Sequence, residues 1–232
     1  MFVWSPGIAS DASRNRYNTW AELYAAAPAV GPWWFLLMPA GGSTEIPAGD
    51  WTAKTSAVSI FAGATGGGTR GPQMSMADGG FWAAPPIELN QVAFFTRGTV
   101  VGTPAFGTLD AVTRPMRLVG GAEWANETFG AAGRLVHLIN GALFVIEMID
   151  SQIYSADNTT NVIDLASASN LVAHMYGQSG FGEDAVVSGD ATGTLTPFVY
   201  SNYGNVGSAT GATVVPQWDA RQRRTLCGRL VT

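Results

Sequence analysis

Three stretches in the second half of the chain decide the fold: ALFVIEMIDSQ (residues 142–152), SNLVAHMYGQS (169–179) and TGTLTPFVYSN (192–202). Each is rich in apolar residues and ends in two polar ones. Aligned on Met148, Met175 and Phe198, they repeat at offsets of 27 and 23 residues. Shorter apolar segments at 135–138, 162–165 and 185–188 lie between them, so each repeat holds two short strands with their turns.

A repeat of about 25 residues that contains short strands is typical of a parallel β-solenoid. A single coil cannot bury its inner face, whereas a stack of coils buries a continuous core. We therefore predict an all-β chain with a short parallel β-helix (solenoid) as its body. The alternative is a β-sandwich, whose strands also recur every 8–12 residues or so. The polar residues that recur at the repeat ends favour the solenoid.

The rest of the chain extends this pattern in both directions. Runs of Val, Ile, Leu and aromatic residues alternate with Gly, Asn, Asp, Ser and Thr, which indicates strands and turns. The predicted strands are 33–38, 57–62, 73–76, 87–95, 116–119, 135–139, 143–150, 162–165, 171–176, 185–188, 194–201 and 213–218.

One short helix is predicted ahead of the strands. Thr19 and Glu22 have the spacing of a capping box, the alanines at 25–27 continue the helix, and Pro28 ends it. This helix would cap the N-terminal end of the solenoid. We therefore predict an N-terminal segment with a short capping helix (1–31), a β-helix body (32–211) and an Arg-rich C-terminal strand or tail (212–232).

Composition excludes several classes of function. Only 12% of the residues are charged, about half of the roughly 25% usual for soluble domains. The net charge of −5 argues against nucleic acid as a partner. The apolar stretch 25–40 contains three prolines and is shorter than the about 20 apolar residues of a spanning helix, so we expect no membrane partner. The N-terminus lacks the pattern of a signal peptide, so we expect synthesis in a cytoplasm.

The sequence predicts no catalytic, cofactor-binding or metal-binding residue, and therefore no cofactor and no enzyme activity. His137 and His174 lie within predicted strands without a nearby carboxylate in the sequence, which indicates packing roles. The glycine-rich segment 63–71 lacks the ending of a phosphate-binding loop, so we expect a turn there. Cys227 is expected to be a small buried residue, and a solvated terminal strand accounts for the arginines at 221–229.

Two alternatives involve carbohydrate. The first is a small polysaccharide-degrading enzyme, for which Asp164 and the acids between Asp184 and Asp190 would approach each other near Arg134. The second is a carbohydrate-binding module that uses Trp33, Trp34 or Trp82 as stacking platforms.

Several segments together resemble bacteriophage virion proteins built on a right-handed parallel β-helix. They are YNTWAEL (17–23), WWFLLM (33–38), IPAG (46–49), the repeated coils and GATVV (211–215). The resemblance implies a virion protein, usually a homotrimer, that serves as a tail spike, a tail fibre or a capsid decoration. Its implied partners are further copies of itself, other virion proteins such as those of the capsid or tail, and a glycan on the host surface. The small size and the missing acidic cleft distinguish the chain from enzymatic tailspikes, so the implied role is structural or adhesive.

Overall fold

The computed structural model describes residues 1–38, 44–63, 72–96, 105–126, 135–155, 162–182, 187–200, 209–215, 217–219 and 224–226. Almost all of the regular structure in these ranges is parallel β-sheet. The predicted short parallel β-helix is confirmed. The β-sandwich alternative is wrong, because a sandwich consists of antiparallel sheets.

The largest sheet, which we call the long sheet, has ten strands that pair in parallel in the order β2-β1-β3-β6-β9-β12-β15-β18-β21-β23. Its strands are β1 (Phe2–Trp4), β2 (Arg16–Tyr17), β3 (Trp33–Leu37), β6 (Val58–Ala62), β9 (Glu88–Asn90), β12 (Thr113–Val119), β15 (Leu143–Ile149), β18 (Asn170–Tyr176), β21 (Thr194–Val199) and β23 (Thr213–Val214).

Two further parallel sheets complete the solenoid, in the orders β19-β16-β13-β10-β7-β4 (the second sheet) and β11-β14-β17-β20-β22 (the third sheet). The second sheet consists of β4 (Glu45–Ile46), β7 (Gln73–Met76), β10 (Ala93–Thr96), β13 (Glu123–Asn126), β16 (Gln152–Ser155) and β19 (Gly180–Phe181). The third consists of β11 (Thr108–Asp110), β14 (Val136–Ile139), β17 (Ile163–Leu165), β20 (Val187–Gly189) and β22 (Ala209–Thr210). Small two-stranded sheets are formed by β5 (Gly49–Trp51) with β8 (Gly80–Trp82), and by β24 (Gln217–Asp219) with β25 (Arg224–Leu226).

Each full coil visits the three sheets in turn, as β15, β16 and β17 do before β18 begins the next coil. A coil therefore holds three strands, where the repeat alignment predicted two. The predicted strand 87–95 is wrong as a single strand: it divides into β9 and β10 at Gln91, whose backbone is left-handed (φ 57°). The chain turns a corner of the solenoid at this residue.

The strand register confirms one predicted offset and corrects the other. Met148 pairs with Met175, 27 residues apart, as predicted. Met175, however, pairs with Val199, and Phe198 pairs with His174, so the second offset is 24 rather than 23. Burial explains the difference: Val199 points into the core whereas Phe198 is half-exposed, and a slip of one residue would exchange them.

The core contains ladders of apolar side chains that run along the solenoid axis. In the long sheet one ladder joins seven successive strands, and all of its members are at most 7% exposed. Its members are Phe35, Ile60, Leu89, Leu118, Met148, Met175 and Val199. The opposite faces of these strands carry the side chains that the solenoid presents outward.

The predicted capping helix is confirmed as α1 (Trp20–Ala26), preceded by a short 3-10 turn at Ala12–Arg14. Thr19 and Glu22 form the predicted capping box. Trp20 packs its ring 5.5 Å from that of Trp4 and 5.0 Å from that of Trp82, which fixes the helix on the first coils. Within the described ranges, no helix has both the length and the apolar character needed to cross a membrane.

Candidate functional site

The outer face of the long sheet presents three rows of side chains at matching register positions. The first row is Pro115, Val145, Val172 and Thr196. The second row is Trp34, Ser59, Glu88, Arg117, Glu147, His174 and Phe198. The third row includes Asn90, Val119, Ile149 and Tyr176. Because strand side chains alternate between faces, these rows lie opposite the buried ladder.

The first and third rows are largely apolar although they face outward. Val145, Val172 and Ile149 are half-buried, and Pro115 is exposed. A sheet face that is solvated is normally polar, with the apolar residues pointing inward. This face therefore has the composition of a contact surface.

An ion pair lies in the second row. Arg117 Nε is 2.6 Å from Glu147 Oε2, and the two side chains are 49% and 37% exposed. The residues occupy paired positions on β12 and β15, so the register of the sheet places the two charges side by side. Exposed pairs of this kind contribute little to stability.

Stacked aromatic rings continue the outer face towards β21. His174 stacks on Phe198 with ring centroids 4.7 Å apart and an interplanar angle of 7°. Tyr176 stacks on Tyr200 at 4.5 Å and 5°. His174 Nδ1 also lies 3.3 Å from the Tyr200 hydroxyl. These rings lean on one another along the solenoid axis, which accounts for the packing role predicted for His174.

An open concavity of about 370 Å³ lies between the ion pair and the aromatic rings. It is lined by Pro115, Met116, Arg117, Val145, Glu147, His174 and Tyr176. Its volume is at the lower end of the about 300–1,000 Å³ of ligand sites, so it is large enough for a few side chains of a partner or for one small ligand.

A second polar cluster lies on the third sheet and corrects a prediction. His137 Nδ1 is 2.6 Å from Asp164 Oδ2, so His137 does have a carboxylate partner. The Ser188 hydroxyl donates to Asp164 Oδ1 at 2.9 Å. The three residues pair across β14, β17 and β20, one coil apart, which is why the sequence did not place them together.

The order of this cluster differs from that of a nucleophilic triad. In such a triad the histidine lies between the hydroxyl and the carboxylate and takes the hydroxyl proton. Here Asp164 lies between Ser188 and His137, so the serine donates to the carboxylate and not to the imidazole. This arrangement satisfies a buried carboxylate without activating the hydroxyl.

Asp190, the second acid of the carbohydrate-enzyme alternative, supports a turn. Its carboxylate accepts hydrogen bonds from the Thr192 hydroxyl and from the backbone N–H groups of Ser167, Thr192 and Gly193. These donors, the Thr192 hydroxyl first, lower the pKa of Asp190 to about 2. A general acid in glycoside hydrolysis needs a raised pKa instead. Asp184 and Arg134 lie outside the described residues.

Two of the three tryptophans of the binding-module alternative are buried. Trp33 is 4% and Trp82 is 2% exposed, so neither can offer a ring face to a sugar. Trp34 is 47% exposed at the start of the second row. Its prediction as a ring available to a partner therefore remains open.

Among the residues that the structure describes, no three His, Cys, Asp or Glu side chains lie together in a way that could hold a metal ion. The absence of a cofactor stays a prediction. Most of the glycine-rich segment 63–71, Cys227 and three of the four C-terminal arginines lie outside the described residues. The fourth, Arg224, lies in β25.

Comparison with known proteins returned no match: no protein-family model, no curated protein and no solved structure is similar to this chain. The functional reading consequently depends on the surfaces described above.

Proposed function

We propose that this chain is a structural component of a phage virion, either a capsid decoration protein or part of a tail spike or fibre. It would act through self-association and adhesion rather than through catalysis. The observation that carries the proposal is the apolar outer face of the long sheet, where half-buried Val145, Val172 and Ile149 surround a single ion pair. The phage assignment comes from the resemblance of the sequence to β-helical virion proteins.

Physical chemistry supports an assembly role for such a face. Contiguous apolar surface that remains outside the core marks sites of protein association. Interfaces are also depleted in charge and enriched in aromatic residues, and this chain is 12% charged and 11% aromatic. A solenoid held together by parallel ladders gives such a face a rigid backing.

The two clusters that could have supported catalysis point the same way. Asp164 is engaged by His137 and Ser188, and Asp190 holds a turn. Neither forms the pair of converging carboxyl groups that glycoside hydrolysis uses. The acids do not favour the enzyme alternative.

Multi-angle light scattering of the purified chain at micromolar concentration tests the proposal. We expect a stable oligomer, and the resemblance implies three copies. Electron microscopy of purified particles labelled with an antibody against the chain should then locate it on the head or the tail. A chain that stays monomeric and is missing from particles would overturn the proposal.

A further inference from the structure

The second row of the long sheet carries charges whose order is complementary to its own reverse. We propose that two copies of this chain pack through this face in antiparallel orientation, around a two-fold axis that lies between β12 and β15. The inference rests on the self-association proposed above and names the surface and the partner: a second copy of the chain.

The charges follow one another at successive register positions. Glu88 pairs with Arg117, Arg117 with Glu147, and Glu147 with His174. Neighbouring strands are about 4.8 Å apart, so these groups form a line of alternating carboxylates and nitrogen bases. The line has equal numbers of each on the two sides of its midpoint, which falls between Arg117 and Glu147.

A two-fold axis through this midpoint and parallel to the strands reverses the line. Arg117 of one copy then lies opposite Glu147 of the other, and Glu88 lies opposite His174. Every carboxylate meets a nitrogen base. Two parallel copies would instead place Glu88 against Glu88 and Arg117 against Arg117, and facing like charges suppress association.

The flanking rows fit the same operation. Because the axis runs along the strands, each row faces the same row of the second copy. Val119 lies opposite Ile149 in the third row, and Pro115 lies opposite Val145 in the first. The apolar positions thus meet apolar positions on both sides of the charges, and this is the self-complementary contact that a two-fold interface requires.

The size of the face and the position of its concavity agree with a pair. At about 4.8 Å between strands and about 3.3 Å per residue, the strands from β3 to β21 span about 30 Å by 20 Å. That flat area of about 600 Å² per copy approaches the roughly 800 Å² per partner of a standard interface. The concavity lined by Arg117 and Glu147 lies at the axis, where it would receive side chains of the second copy.

Cross-linking between cysteines distinguishes the two orientations. Ser59 on β6 and Thr196 on β21 face outward at equal distances from the proposed axis. We would introduce Ser59→Cys and Thr196→Cys in separate chains that carry Cys227→Ser, mix them, and add a short bismaleimide. Facing sheets are about 10 Å apart, within reach of such a reagent.

The antiparallel pair predicts cross-links between position 59 of one copy and position 196 of the other, identified by peptide mass spectrometry. Cross-links between two copies of position 59 should be rare, because five strand spacings of about 4.8 Å separate them by about 24 Å. Predominant 59–59 and 196–196 cross-links would overturn the antiparallel arrangement. Both substitutions exchange a hydroxyl for a thiol and are expected to leave the fold intact.

Charge placed within the face provides the second test. Val172→Glu puts a carboxylate in the first row, whereas the control Val30→Glu puts the same charge at a site that is 79% exposed and off the face. We expect sedimentation velocity to show at least a tenfold weaker association for Val172→Glu, with circular dichroism unchanged, and wild-type association for Val30→Glu. An oligomer that survives Val172→Glu would refute the proposed interface and leave the proposed function standing. A monomeric wild-type chain would refute both.

Discussion

At the scale of single residues, the corners of the solenoid depend on left-handed backbone. Gln91, Gly120, Asp150 and Gly177 follow equivalent ends of four successive long-sheet strands, and their φ angles are 57°, 68°, 50° and 63°. Non-glycine residues adopt this conformation at a cost of about 1 kcal/mol or more. The fold therefore repeats one strained turn in every coil, and it is the turn that sends the chain from the long sheet to the second sheet.

Gly177→Ala should be the more damaging of two glycine substitutions. A Cβ atom at Gly177 would meet Asp150, with its nearest approach at Oδ1 and its Cγ at 2.8 Å. That carboxylate cannot move freely, because Oδ1 accepts the Gln178 N–H at 2.9 Å. We expect a loss of about 2–3 kcal/mol in the free energy of unfolding, measured by urea denaturation.

Gly141→Ala is the matched control, since Gly141 also has a positive φ (77°) but no atom within 4 Å of an added Cβ. It should cost only the backbone strain, about 1 kcal/mol. Asp150→Ala should restore part of the stability of Gly177→Ala in a double-mutant cycle. Equal losses for the two glycine variants would contradict the steric argument.

At the scale of elements, the turn between β20 and β21 joins one coil to the previous one through Asp190. The carboxylate binds Thr192 and Gly193 within the turn and Ser167 one coil earlier. Because these hydrogen bonds favour the charged form, they lower the pKa from 3.8 to about 2. The turn is therefore most stable when Asp190 is ionised.

The expected pH dependence follows from the sign of that shift. A carboxyl group whose pKa is lower in the folded state contributes stability above its unfolded pKa, and the contribution is lost as pH falls towards the folded value. We expect the Tm of the wild-type chain to fall between pH 4 and pH 2 more steeply than that of Asp190→Asn, by differential scanning calorimetry. Parallel curves for the two proteins would show that Asp190 does not contribute.

The capping helix depends on the only lysine in the sequence. Lys54 Nζ donates to the carbonyl oxygens of Tyr24, Ala25 and Ala27, at the C-terminal end of α1. It also lies 5.0 Å from the centre of the Tyr24 ring. Burial lowers the pKa of Lys54. A cation at this place satisfies carbonyl groups that a helix leaves without partners.

Lys54→Met should therefore weaken the N-terminal cap. We expect a loss of about 1–2 kcal/mol, measured by chemical denaturation, and faster amide exchange in residues 20–27 than in β15 and β18. Arg14→Met is the control, because Arg14 is an exposed cation in the same segment whose side chain is 78% accessible. If both variants unfold like the wild type, Lys54 is not the anchor of the helix.

At the scale of the whole molecule, the stacked coils explain why so few charges suffice. Each coil buries its inner side against the coils above and below it, and many outward positions pair with an equivalent position one strand away. The low charge content that is puzzling in an isolated domain is consistent with a rod that uses its long sheet for association. The proposed antiparallel pair would cover that sheet.

The alternation of apolar residues and the spacing of the repeats were enough to predict the solenoid and its capping helix from the sequence. Both are local signals: the capping box involves Thr19 and Glu22, and the 27-residue offset joins Met148 to Met175. The offset between Met175 and Val199 was misjudged by one residue, because Phe198 resembles a core residue in a linear alignment and only burial distinguishes the two.

Tertiary structure alone decided which side chains meet across coils. The pairing of His137 with Asp164 spans 27 residues, the same offset as the repeat, so the period could have suggested it only once the register was known. The line of charges from Glu88 to His174 likewise exists only when coils of unequal length are stacked. The sequence by itself determined that the chain would coil. Stacking decided the surface, because a change of one residue in coil length moves every side chain that follows to the other face.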